Sequence, residues 1–131
     1  NCTVCMSDDE VACAFVDKPQ NVIALNAPSF ERFESKIKSG GIMIVNSSLV
    51  KSKPSRTDIT YKFIPITDIA HRTGHEKAAN IVSLGAFIQT FPIVTKESII
   101  SIMKEKLTGK KAQMLESNIQ ALEDGFIAAE K

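Results

Sequence analysis

This chain has no tryptophan and a single tyrosine among its 131 residues, and seven phenylalanines complete its aromatics. So sparse an aromatic set offers little to stack on a nucleic-acid base. Charge of one sign is lacking too: 16 basic and 15 acidic residues leave a net +1. That balance gives no electrostatic case for nucleic acid or an anionic membrane as a partner. The longest apolar runs, such as Ile42 to Val45, fall far below the roughly 20 residues needed to span a bilayer. No signal peptide is visible, and an odd count of three cysteines suits a reducing cytosol, so the expected location is cytoplasmic. There is no P-loop, no GxGxxG fingerprint, no Ser-His-Asp grouping and no pair of carboxylates in an apolar setting. By its own residues the chain is short of chemistry.

What it does have is the material of one globular domain. A hydrophobic share of 44% is ordinary, and the length supports a real core. No initiator Met opens the chain, and Asn1 reads as mid-strand. We therefore expect residues 1–131 to form a single domain that is incomplete at its amino end.

The pattern along the chain is that of an α/β protein. Asn1 to Ser7 leans towards strand, and Asp8 to Gln20, with its acidic residues and Pro19, reads as a loop or an irregular hairpin. Asn21 to Leu25 is a compact apolar run suited to a buried strand. A helix follows at once: Asn26 or Ser29 can cap it, Pro28 suits its first turn, and Phe30, Phe33 and Ile37 fall on one face. Gly40-Gly41 ends it, and Ile42 to Val45 reads as the next strand. Such a β-α-β unit with short joints predicts parallel pairing.

Ser47 to Asp58 is polar and interrupted by proline, hence a loop, and Ile59 to Ile64 has strand composition. Thr67 or Asp68 would cap a brief helix ending near Gly74, and a longer helix runs from about Glu76 to Thr90, before Pro92. Thr95 caps a helix whose Ile99, Ile102, Met103 and Lys106 share a face, and a last helix carries Leu115, Ile119, Leu122 and Phe126. The expected fold is a three-layer α/β/α sandwich around a mostly parallel or mixed sheet.

Several groupings invite a chemical reading. Cys2-x-x-Cys5 would be a redox or metal pair if it opened a helix. In a strand, residues three apart point to opposite faces, so the expectation is buried or half-buried structural thiols. A thiol-redox protein remains the alternative built on that pair. His71 and His75 have the spacing of two metal ligands on a helix, but Gly74 lies between them and spacing supplies no third ligand. Asp8, Asp9 and Glu10 read as a solvated acidic loop.

The segment Ala79 to Phe87 is nearly all apolar, with Asn80 inside it. Ile81, Val82, Leu84, Phe87 and Ile88 are too many for one buried stripe, so one side is expected to face the sheet and the other a further subunit. Asn80 either bonds a neighbouring backbone group in the core or faces a ligand or subunit seam. Gly85-Ala86 suits tight packing of helix on sheet, or the close approach of another backbone or a ligand.

Four segments together carry a family resemblance: Asn1-Cys2-Thr3-Val4; Ile23-Ala24-Leu25-Asn26-Ala27-Pro28-Ser29; Ile64-Pro65-Ile66-Thr67-Asp68-Ile69-Ala70; and Asn80-Ile81-Val82-Ser83-Leu84-Gly85-Ala86. With Gly109-Lys110-Lys111 leading into a helix bearing Asn118, their order and spacing resemble the gamma subunit of 2-oxoacid:ferredoxin oxidoreductases. The resemblance implies a non-catalytic α/β subunit of an enzyme that oxidatively decarboxylates a 2-oxoacid, reduces ferredoxin and delivers an acyl group to coenzyme A. Thiamine diphosphate, magnesium and iron–sulfur clusters would then sit in partner subunits: alpha, beta and, in some assemblies, delta. This chain alone would bind none of them, and three cysteines do not make a four-thiolate cluster site.

Family members begin with a strand and a glycine-rich GGQG-type turn, and carry a glycine pair before the position of Asn1; neither is in this sequence. Carried over by position, Asn26 and Asn80 are expected to approach coenzyme A, with Asn1 near the glycine segment. The reading from another class is a free-standing small-ligand or nucleotide-binding α/β module.

Overall fold

The computed structural model describes residues 2–11, 15–74 and 76–130. Asn1 and His75, both singled out above, and Cys13, the third cysteine of the sequence, lie outside them.

Three strands form the sheet: β1 (Asn21–Ala24), β2 (Ile42–Asn46) and β3 (Thr60–Ile64), in that spatial order and all parallel. Asn21 pairs with Ile42 across β1 and β2, and Asn46 with Ile64 across β2 and β3. The central strand β2 reads as a near-continuous apolar run because both its faces are covered, whereas the edge strand β3 carries exposed Thr60 and Phe63. On one face Met43, Val45 and Ala24 pack with Phe30, Ile37 and Val50. On the other, Ile44 and Ile64 meet Ile69, Val82, Ala86 and Ala121. Met43, Ile44 and Val45 are each fully buried, and burying a side chain of this size is worth roughly 1.5–3 kcal/mol.

The β1–β2 crossover is α1 (Ala27–Phe33) followed by a 3-10 turn, Glu34–Lys36. Asn26 caps α1, its Oδ1 accepting from Ser29 N at 2.9 Å, with Pro28 in the first turn. The helix is shorter than its apolar spacing predicts. Ile37 is extended and still buried, so Phe30 and Ile37 reach one core from two conformations. The two glycines that follow have separate reasons. Gly40 holds φ +85°, which a side chain disfavours, while a Cβ on Gly41 would sit 2.0 Å from the Gln20 carbonyl oxygen.

After β3 come α2 (Ile66–Arg72), a 3-10 turn (Glu76–Ala78), α3 (Ala79–Thr90), α4 (Lys96–Lys106), a 3-10 stretch (Gly109–Met114) and α5 (Leu115–Ala129). Thr95 caps α4 as its sequence predicts, its hydroxyl accepting from Ser98 N at 3.1 Å. Thr67 and Asp68 do not cap α2. The cap position is Pro65, two residues before Thr67, so the helix begins at Ile66 and Thr67 is inside it.

Three further expectations are corrected. Residues 2–7 form no strand: Cys2 is exposed and Cys5 half-buried, so the picture of thiols on opposite strand faces does not hold. Ile102 is 54% exposed, off the face shared by Ile99 and Met103. The far side of α3 is covered by this chain itself. Ile88 packs with Met103 of α4 and Leu122 of α5, and Ile81, Leu84 and Phe87 join that cluster. What lets α5 come so close is a pair of glycines. A Cβ on Gly85 would meet the Leu122 carbonyl oxygen at 2.1 Å, and one on Gly125 the Val82 oxygen at 1.9 Å. Of the two readings of Gly85, close approach of another backbone is the one found, with α5 in place of the sheet as the neighbour.

Candidate functional site

In an open parallel sheet, ligands bind beyond the carboxyl ends of the strands, where the chain turns out into loops and helix starts. Here that edge consists of Leu25 and Asn26 after β1, Asn46 at the end of β2 with Ser47 and Ser48 after it, and Pro65 to Asp68 after β3. Asn46 joins all three. It is 1% exposed, and its Nδ2 donates to the Leu25 carbonyl at 3.1 Å and to Thr67 Oγ1 at 2.8 Å. Its Oδ1 accepts from Ser48 N and Thr67 N, both at 3.3 Å. An amide has two donors and two acceptor lone pairs, and here all four are used. Ser48 Oγ accepts from Asp68 N at 3.1 Å, tying the second exit to the third again.

Asn26 is exposed at this edge. The cap engages only its carbonyl oxygen, which leaves the amide nitrogen as the group able to donate to a ligand oxygen. Asn80 is exposed as well, in the first turn of α3, with its Oδ1 accepting from the next residue's own N–H at 3.0 Å. It is not a core amide, so the reading in which it bonds backbone inside the core fails.

Two residues before Asn80, at Ala78, an open cleft of about 530 Å³ begins. It is lined by His71, Gly74, Glu76, Lys77, Met114, Ser117 and Asn118. His71 Nδ1 and Glu76 Oε1 are 2.9 Å apart at its rim, both more than two-thirds exposed. Such a surface pair contributes little to stability. Among the described residues no group of three or more His, Cys, Asp or Glu is placed to hold a metal ion.

A second polar cluster lies on the α1 side of the sheet. The Glu34 carboxylate accepts from Ser55 Oγ at 2.6 Å, Ser55 N at 3.1 Å and the Tyr61 hydroxyl. Arg56 donates to the Glu34 and Ile37 carbonyls and pairs with both oxygens of Asp58. Partial burial pushes the Glu34 pKa up. The hydrogen bonds from Ser55 and Tyr61, with the Arg56 charge, outweigh it and hold the group below the ordinary glutamate value. Burial, then the Glu34 carboxylate beside it, raises Tyr61. The cluster fastens the 47–58 loop to the end of α1; each of its bonds is structural.

Asn46 is the residue that sequence reasoning missed. Its signal was a polar side chain closing the apolar run Ile42 to Val45, directly after a buried strand.

The described residues thus form an α/β domain with a polar carboxyl edge and an open cleft at a helix start, a layout suited to holding a ligand. The chain belongs to the pyruvate ferredoxin/flavodoxin oxidoreductase family, which matches residues 1–128. It is 32% identical over 130 residues to the 2-oxoglutarate synthase subunit KorC of Methanocaldococcus jannaschii, covering 98% of this chain and 68% of KorC. To the ketoisovalerate oxidoreductase subunit VorA of Methanothermobacter thermautotrophicus it is 29% identical over 126 residues. That match covers 95% of this chain, which spans 26% of VorA. The fold is similar to the gamma subunit of a keto/oxoacid ferredoxin oxidoreductase from Geobacter sulfurreducens, with a TM-score of 0.76 and 26% identity over 85% of this chain and 64% of that one. A 2-oxoglutarate:ferredoxin oxidoreductase from Magnetococcus marinus shares the fold at a TM-score of 0.81 and 21% identity, covering 95% of this chain and 22% of that one.

Proposed function

We propose that this chain is the gamma-type component, a single domain, of a 2-oxoacid:ferredoxin oxidoreductase. In this reading it packs on thiamine-bearing alpha and beta subunits, with a delta subunit in some assemblies, and works in the cytoplasm. The observation that carries the proposal is the match to KorC, itself a subunit, over 98% of this chain and 68% of KorC. In that assembly thiamine diphosphate with magnesium would be held by the partners and would supply the decarboxylation chemistry, and iron–sulfur clusters there would supply the route for electrons to ferredoxin. This chain's own residues bind and orient; none is assigned to the chemical step.

The part assigned to them is one side of the coenzyme A site. Asn26 and Asn80 are both exposed amides on element starts, and an amide N–H suits the phosphate and carbonyl oxygens of that substrate. Lys77 and His71 in the adjoining cleft add donors of the right polarity for its phosphates. Asn1 is assigned to the same side by the resemblance alone. The Magnetococcus marinus enzyme has been solved with 2-oxoglutarate, coenzyme A and succinyl-CoA bound, which agrees with a coenzyme A substrate for the assembled protein.

Affinity purification of the chain from its native cell tests the reading. Stoichiometric recovery of larger subunits holding thiamine diphosphate and iron supports it. Recovery of the chain alone, with a nucleotide or other small ligand in the cleft, favours a free-standing binding module instead.

A further inference from the structure

The amide of Asn46 does more than fill a polar vacancy under the sheet. Its Nδ2 bond to the Leu25 carbonyl fixes the peptide group that joins Leu25 to Asn26. Its Nδ2 and Oδ1 bonds to Thr67 fix the first turn of α2 from the other side. The residue is 1% exposed and ends the central strand of the sheet, so it has no direct route to a ligand. Anything it does for a ligand must pass through a neighbour. Of the residues it orients, Asn26 is the one with an exposed amide group left to donate.

We infer that Asn46 is the positioning residue for Asn26, setting the peptide plane from which the Asn26 amide meets coenzyme A. The inference rests on the proposal that Asn26 contacts coenzyme A. Asn46→Asp keeps the size and the acceptor but removes both N–H donors, leaving a carboxylate against the Leu25 carbonyl and releasing that peptide group. A buried hydrogen bond to a positioned group is the kind of interaction whose loss costs about tenfold in a binding constant.

The test is a double-mutant cycle on apparent KM for coenzyme A in the assembled oxidoreductase, with Asn26→Ala, Asn46→Asp and the pair. Each single variant should raise that KM by about tenfold, with kcat and the KM for the 2-oxoacid nearly unchanged. The pair should be no worse than Asn26→Ala alone. Equal effects of Asn46→Asp in both backgrounds would overturn the inference, as would a lowered melting temperature with KM untouched. An unchanged KM in Asn26→Ala would remove the contact itself and the inference with it. If Asn26→Ala raises KM and Asn46→Asp does not, the inference alone fails. Should Asn46→Asp not assemble, Thr67→Val decides in the same cycle, since it deletes the hydroxyl that holds the Asn46 amide. A rise of a few-fold that vanishes in the Asn26→Ala background is expected, and additivity there contradicts the inference.

Discussion

Glu34 shows how one carboxylate can fasten a loop. Its three hydrogen bonds all come from Ser55 and Tyr61, so its charge is stabilised by folding and its pKa is held down. A depressed folded pKa means that this stability is fully present above the unfolded glutamate value, about 4.3. It is lost as the pH falls through the lower folded value. Glu34→Gln should therefore lower stability at neutral pH by about 1–2 kcal/mol and flatten the acid limb of a urea-unfolding series. An acid limb identical to that of the unsubstituted chain would show that the carboxylate charge contributes nothing. Asn80 calls for the opposite expectation. It is exposed, and its one side-chain bond is to its neighbour's own N–H, so Asn80→Ala should change stability by less than about 0.5 kcal/mol. Any rise in the KM for coenzyme A then reports the ligand and not folding. A melting temperature that drops markedly would contradict this account of the residue.

The α3–α5 contact is set by two glycines rather than by the apolar stripes beside them. Alanine is the better helix former by about 1 kcal/mol, so propensity alone says that Gly85→Ala and Gly125→Ala stabilise. The contact says the reverse, because a Cβ at either position lands about 2 Å from a backbone oxygen of the facing helix. Backbone cannot swing aside as a side-chain tip does. Each variant should lose about 1–3 kcal/mol, read as a lower midpoint in denaturant. The two together should cost less than their sum, since one separation of the helices relieves both clashes. Full additivity would place the glycines in independent packing sites.

Much of this level was readable beforehand, and the reasons differ by element. Strands β1 and β2 were visible because burial on both faces leaves continuous apolar runs, and Asn26 and Thr95 were visible as caps because caps are local. Gly85 was visible as a small residue but not as a helix seat, because its partner Gly125 lies far along the chain. Ile81, Leu84 and Phe87 suggested a subunit seam for the same reason: sequence shows that a face is apolar and not what covers it. At the carboxyl edge, Asn26 was legible as the cap that follows a strand, and the assignment of Asn26 and Asn80 to a ligand comes from the segments they sit in. Asn46 was not legible, because its four bonds converge from the exits of three separate strands.

At the scale of the whole molecule, the helices close over α3 from within, and the domain is organised around a sheet whose carboxyl edge is tied by one amide. Nothing assigned to this chain carries electrons or activates a 2-oxoacid, which is the division of labour expected of one component in a larger enzyme. The most direct test of that claim is the rate of viologen reduction with a 2-oxoacid, thiamine diphosphate and coenzyme A. It should be measured for the purified chain, for its partner subunits without it, and for the reconstituted complex. We predict no turnover by the chain alone, and coenzyme A-dependent turnover that appears only when the chain is restored to its partners. Turnover by the chain alone, or undiminished coenzyme A-dependent turnover by the partners without it, would contradict the account.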